Sequence, residues 1–116
     1  FQFHCNILHA SLADIFDERE NNFIKSQLHL KHAHGCYYMS ATDIVVEGQW
    51  IWPKTEDPVE YMDWGPTEPQ NAGAGEDCVC LSEGVDFRWV DVPCHSLRHF
   101  ICKKRSDAGI GHEIIG

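Results

Sequence analysis

Basic residues are scarce in this 116-residue chain: nine Lys and Arg stand against eighteen Asp and Glu, for a formal net charge of −9. Phosphate backbones are held by clusters of Lys and Arg, so nucleic acid is not an expected partner. Anionic membrane surfaces are disfavoured on the same ground. No run of about 18 apolar residues is present, which leaves no candidate for direct membrane insertion. There is no signal peptide and no initiator Met. The opening Phe1-Gln2-Phe3 reads as the interior of an element, hence as a mature piece or a fragment. Close cysteine pairs are also scarce. Only Cys78-Val79-Cys80 is tight, with no second pair to match it, so a zinc knuckle is not expected. Ser11, Ser40 and Ser82 lack the glycine pattern of a nucleophile elbow. With no base-and-nucleophile pairing in view, the chain is read as a binding module rather than an enzyme. Internal repeats and low-complexity linkers are absent.

What is present describes one domain with a real core. Apolar residues make up 43% of the chain, and four Trp, six Phe and three Tyr are generous for its size. They suit a loop-rich fold that fills space with large rings. Six cysteines in a short chain, Cys5, Cys36, Cys78, Cys80, Cys94 and Cys102, point to disulfides and an oxidising, extracellular compartment. Surplus carboxylates suit a hard cation such as calcium, with simple solubility as the plainer alternative.

Along the chain, residues 1–10 read as the last turns of a helix. Asp17 then looks like an N-cap with Glu20 three residues on. Phe23, Ile24 and Leu28 build one apolar face, which predicts a helix over about 17–29, ended by Gly35. Tyr37-Tyr38-Met39 and Gln49-Trp50-Ile51-Trp52 read as strands around a turn from Asp43 to Gly48. Pro53, Pro58, Pro66 and Pro69, with Gly65, Gly73 and Gly75, punctuate a long stretch with little regular structure, and a loop of that length is usually functional. Strands resume at Cys78-Val79-Cys80-Leu81, Arg88-Trp89-Val90-Asp91 and His99-Phe100-Ile101-Cys102.

The order of these pieces resembles the C-type lectin family. Ala10-Ser11-Leu12-Ala13-Asp14-Ile15 after Cys5 is similar to its helix-to-loop segment. Glu20-Asn21-Asn22-Phe23-Ile24 is similar to its second helix. Thr42-Asp43 and Glu47-Gly48-Gln49-Trp50-Ile51-Trp52 resemble the opening of its long loop. Glu68-Pro69-Gln70, then Glu76-Asp77-Cys78, Trp89-Val90-Asp91, Pro93-Cys94 and Phe100-Ile101-Cys102 follow in the family's order. The resemblance implies an α+β, disulfide-stapled fold: two short helices flanking two small antiparallel sheets, with a long Pro/Gly-rich ligand loop. It places the domain at residues 1–104, without the family's first strand and most of its first helix. Residues 105–116 are expected to form a flexible tail.

The resemblance also implies disulfides Cys5–Cys102 and Cys78–Cys94. Cys36 and Cys80 lie outside that common set. Cys78 and Cys80 face one side of a strand and Cys36 begins a neighbouring one. A third bridge, Cys36–Cys80, is therefore expected, with two buried thiols or an interchain bond as alternatives.

Carried over from the family's principal, sugar-binding calcium site, the positions are Glu68, Gln70, Glu76, Val90 and Asp91, with Pro69 cis. Gln70 stands where Asn is usual and keeps the amide on one more methylene. Val90 also replaces Asn and brings no side-chain oxygen. An auxiliary calcium site maps to Asp43, Glu47, Asn71, Glu76 and Asp77, all with oxygen-bearing side chains. Ordinary turn chemistry is the plainer reading of Asp43 and Glu47. The implied function is a secreted carbohydrate-binding module whose partners are glycans or glycoproteins. Glu68 leans it toward mannose-, GlcNAc- or fucose-type ligands. A lectin-like domain that recognises a protein or mineral surface instead is the second reading. One domain binds weakly, and an oligomer would supply avidity.

Tyr61 and Trp64 flank the loop and could stack on a sugar, whereas Trp50, Trp52 and Trp89 alternate along strands and read as core. His29, His32 and His34 lie together near a helix end. Their spacing near a helix end gives no open three-ligand site with an obvious acid, so they read as a solvated cluster.

Overall fold

A computed structural model describes residues 11–69, 75–94 and 99–103, with residues 104–106 and 109–115 described as backbone alone. The elements run β1 (Ser11–Leu12), α1 (Glu18–Leu30), β2 (Cys36–Thr42), β3 (Ile51–Trp52), β4 (Asp57–Pro58) and β5 (Cys78–Ser82). A 3₁₀ turn (Glu83–Val85), β6 (Arg88–Val92), β7 (His99–Ser106) and β8 (Gly109–Ile115) follow. The helix expected within residues 1–10 lies outside the described residues.

Helix α1 starts where its capping residues place it. Asp17 is extended and its Oδ1 accepts the Glu20 backbone N–H at 2.8 Å, satisfying one of the helix's open donors. Glu18 and Glu20 add negative charge to the first turn, where the helix dipole favours it. The buried face is Asn21, Ile24 and Leu28, a spacing of three and then four residues. Phe23, expected on that face, is one residue off the stripe and is 47% exposed.

Strand β2 organises the sheet. It pairs antiparallel with β5 from Cys36↔Ser82 to Met39↔Val79, then shifts register before Thr42↔Cys78. It pairs parallel with β7 through Tyr37↔His99 and Tyr38↔Phe100, and meets β3 at Thr42↔Ile51. Strand β6 lies on β5, and β1 and β8 both lie on β7. The expected two antiparallel sheets are thus one connected, mixed sheet. Cys36, Tyr37, Tyr38 and Met39 are all buried, which explains an apolar run where a half-exposed strand would alternate. The C-terminal stretch also departs from expectation. Where a flexible tail is predicted, β7 continues to Ser106 and β8 pairs with it from Ser106↔Gly109 to Phe100↔Ile115. Ile110, Ile114 and Ile115 favour extended backbone.

The larger two of three apolar clusters lie on the two faces of the sheet, and the third is Cys102 with Leu12 and Phe100 against it. The larger holds Ile15, Ile24, Leu28, Met39, Trp50, Trp52, Val79, Leu81, Trp89 and Ile101. The smaller gathers Cys36, Tyr38, Cys80 and Val92, with Cys78, Val90 and Phe100 against it. Disulfides Cys36–Cys80 and Cys78–Cys94 cross this second face, with Cα separations of 5.6 and 5.1 Å. Closing loops of 44 and 16 residues, they stabilise the fold by about 4 and 3 kcal/mol in the chain-entropy model. Cys102 is also disulfide-bonded; its expected partner, Cys5, lies outside the described residues.

Trp89 is fully buried, and its indole N–H donates to Asn21 Oδ1 at 3.0 Å. The Asn21 amide N–H groups donate to Asp63 Oδ2 at 2.8 Å and to the Tyr61 hydroxyl at 3.2 Å. Asp63 also faces Lys25 Nζ at 3.3 Å and Arg88 Nε at 3.4 Å. This network joins α1, the long loop and β6. Replacing Asn21 by Leu keeps the volume but leaves a buried indole donor unpaired. Urea unfolding should report a loss of about 2 kcal/mol; an unchanged midpoint would show that the network adds nothing to stability.

Candidate metal centre and ligand loop

The long loop leaves the sheet after β3 and returns at β5, so its ends meet beside the Thr42↔Cys78 pair. The Thr42 hydroxyl donates to the Asp77 carbonyl at 2.6 Å and the Asp43 N–H donates to the same oxygen at 3.2 Å. These bonds bring residue 43 and residue 77 together although 34 residues of chain separate them. The Cys78–Cys94 bridge holds the return point from the other side.

Asp43 is 1% exposed. Its Oδ2 accepts the Gly48 N–H at 2.9 Å, a turn contact made with Gly48 in the left-handed region at φ +84. Its Oδ1 is buried with no hydrogen-bond partner. Oxygens of Asp43, Glu47 and Asp77 lie within 4.8 Å of one another, the only such trio of Asp, Glu, His or Cys groups among the described residues. Two unit charges at 4.8 Å repel by roughly 3 kcal/mol at an effective dielectric of about 20, less where solvent reaches the exposed Glu47. Burial, followed by the neighbouring carboxylates of Glu47 and Asp77, pushes the Asp43 pKa up to about 7, against the pull of the Gly48 N–H. The unpartnered oxygen and the crowding of three carboxylates favour uptake of a proton or a cation. A hard, oxygen-seeking cation fits this all-oxygen donor set.

Three of the five auxiliary positions, Asp43, Glu47 and Asp77, are therefore brought together. Glu76 is described but is not one of the trio, and Asn71 lies outside the described residues. Of the principal set, Gln70 is likewise outside them. Glu68, Glu76 and Asp91 are described but do not form a second close trio. The Glu68–Pro69 bond is cis, as the resemblance implies. Asp91 is buried on the face of β6 that carries Trp89. Val90 points the other way and packs against the Cys36–Cys80 cluster. Its side chain serves the disulfide face, which accounts for an aliphatic residue there.

Tyr61 and Trp64, expected as stacking platforms, are part of the packing. Tyr61 meets Trp89 edge-on at 6.0 Å, and Trp64 meets Trp89 at 5.9 Å and Trp50 at 5.2 Å. Gly65 sits so close that an added Cβ would lie 3.3 Å from Val85 Cγ2 and 3.5 Å from the Trp89 carbonyl. Asn21 was not predicted as a structural hub. Its position on the Ile24–Leu28 stripe, a polar residue on an apolar face, is the signal that could have found it. Ile44, Val45 and Val46 form an exposed aliphatic tip between Asp43 and Glu47.

The sign of the pH effect follows from the raised Asp43 pKa. Without metal, the folded state holds a proton that the unfolded state has released between about pH 4 and pH 7. Stability contributed at this position should therefore fall as pH rises through that window. Chemical unfolding in chelator across the range, compared with Asp43→Asn, checks it. The variant should show a flatter profile, and parallel profiles would contradict the assignment.

Comparison with known proteins places the fold. The family model described as Lectin C-type domain matches residues 1–104. Perlucin from Haliotis laevigata is 32% identical over 102 residues, covering 87% of this chain and 65% of its own length. A perlucin-like protein from Mytilus galloprovincialis is 31% identical over 94 residues, covering 79% of this chain and 59% of its own. The chain thus spans about two thirds or less of these relatives. Among solved structures, the cow C-type carbohydrate-recognition domain of CD23, determined with GlcNAc2Man3 oligosaccharide, superposes with a TM-score of 0.67 at 27% identity. It covers 98% of this chain and 74% of its own. With its one described helix, mixed sheet and disulfide-anchored loop, the chain belongs to the C-type lectin domain family.

Proposed function

We propose that this domain binds carbohydrate with the help of calcium, on glycans or glycoproteins outside the cell. Asp43 carries the reading: one of its carboxylate oxygens is buried with no hydrogen-bond partner, and the carboxylates of Glu47 and Asp77 come within 4.8 Å of its own. Asp43, Glu47 and Asp77 would hold the ion, with Glu76 and Asn71 as the remaining candidates. When bound, calcium supplies the charge that lets these carboxylates share one place. It would tie residues 43–47, in the turn between β2 and β3, to residue 77 at the end of the long loop. Glu68, Gln70, Glu76 and Asp91 would form the sugar-facing set, with Glu68 favouring mannose-, GlcNAc- or fucose-type ligands. The disulfides support an oxidising, secreted setting. No described helix is long and apolar enough to cross a membrane. Domains of this family are generally binding modules, and no catalytic role is proposed for any residue.

A second reading has one observation in its favour. Val90 occupies a position where an amide is usual and spends its side chain on the disulfide face. A domain without that amide could keep the metal yet recognise a protein or mineral surface in place of sugar. Fold alone does not choose between them.

Calcium at about 100 times its Kd should stabilise the fold by about 2.7 kcal/mol, a shift of several degrees in the thermal midpoint. Asp43→Asn should abolish the shift, and equal midpoints in calcium and chelator would remove the ion from the account. Chelator-reversible retention on mannose-agarose but not galactose-agarose is the expected sugar result. Retention on neither, with the calcium shift intact, would select the second reading.

A further inference from the structure

Helix α1 ends in a histidine-rich turn that the carbohydrate reading leaves unused. His29 occupies its last turn, and His32, with φ at +50, and His34 follow within five residues. The fold places the 3₁₀ turn opposite them. Glu83 N–H donates to the Gly35 carbonyl at 2.9 Å, and Gly35 N–H donates to Glu83 Oε1 at 3.3 Å, locking the two segments together. His34 Nδ1 then lies 2.7 Å from Glu83 Oε2, and His29 Nε2 lies 3.2 Å from Asp86 Oδ1. Between the segments is a cleft of about 310 Å³, lined by the three histidines, Ala33, Glu83, Asp86 and Phe87.

We propose that this cleft binds a divalent transition ion of the zinc class through His29, His32 and His34, with Glu83 and Asp86 orienting two of the imidazoles. A carboxylate on one ring nitrogen fixes the tautomer and leaves the other nitrogen basic, which is how metal-binding histidines are usually held. Here that leaves His34 Nε2 and His29 Nδ1 for the ion. Imidazole selects zinc, copper or nickel over calcium, so the cleft and the Asp43 trio differ in the ion they take. The partial negative charge at the end of α1 and the two carboxylates attract a cation to the same place. Only the Asp43 trio is already converged among the described residues. The imidazoles therefore close on the ion by adjustment about their carboxylate contacts: His34 is 82% exposed, and His29, 55% exposed, moves against its edge-on contact with the Phe87 ring at 5.1 Å.

The experiment is calorimetric titration of the full chain with zinc chloride in excess calcium. Saturable binding at one site per chain is expected. His32→Asn combined with His34→Gln should abolish it, and Asp86→Asn, which suits the left-handed backbone at that position, should weaken it by about tenfold. Asp43→Asn should leave it unchanged. Absent binding, binding indifferent to the histidine variants, or binding lost in Asp43→Asn would each overturn the proposal. Copper(II) bound to the unmodified chain gives a check that needs no variant. Nitrogen hyperfine structure in its electron paramagnetic resonance spectrum is expected, and an oxygen-only signature would refute it.

Discussion

The hydrogen bond from the buried indole of Trp89 to Asn21 constrains most of what surrounds it. A large ring with a single donor can be fully enclosed only if that donor is met. Asn21 meets it from the helix and uses its own amide to hold Asp63 and Tyr61. Three segments far apart in sequence are fixed by one side chain. Trp50, Trp52, Tyr61 and Trp64 then pack around or next to the same indole, so the proline-broken loop acquires a hydrophobic base without forming long strands.

Above that base the chain tolerates a local conflict. The bonds from Thr42 and Asp43 to the Asp77 carbonyl are ordinary sheet-end contacts, yet they force three carboxylates into one space. A proton on Asp43, whose pKa is pushed up to about 7, relieves the conflict, and under the proposed function a divalent ion would relieve it in the proton's place. The disulfide beside Asp77 keeps the acids from drifting apart.

Much of the fold was legible because short-range chemistry and long-range order agree. Asp17 caps the helix it was expected to cap, Cys36 and Cys80 meet as strand alternation allows, and the order of motifs fits the family. Two of the auxiliary acids, Asp43 and Glu47, were close in sequence, and the resemblance supplied Asp77. What could not be read depends on tertiary context. Strand propensity does not announce a parallel β2–β7 pair, so the sheet's connectivity was misjudged. Ile110 sits between Gly109 and Gly111, apart from Ile114 and Ile115, and these glycines mask a strand. Tyr61 and Trp64 have the composition of sugar platforms, and only the packing around Trp89 shows where their rings are spent. The histidines had no visible acid partner because Glu83 and Asp86 lie about fifty residues away in sequence and arrive through the 3₁₀ turn.

The contacts between the long loop and Trp89 have a consequence for solubility. Among the described strands, β6 pairs with β5 alone, which leaves a row of its backbone groups without a strand partner on the other side. The Trp89 N–H donates to the Asp63 carbonyl and its carbonyl accepts from Gly65, so Trp64 bridges it as a one-residue strand. The segment that leads into the Glu68 motif thereby blocks a rim that would otherwise template pairing between molecules. The proposed recognition loop and this guard are the same stretch of backbone, which would limit how freely its course can change as binding preferences diverge.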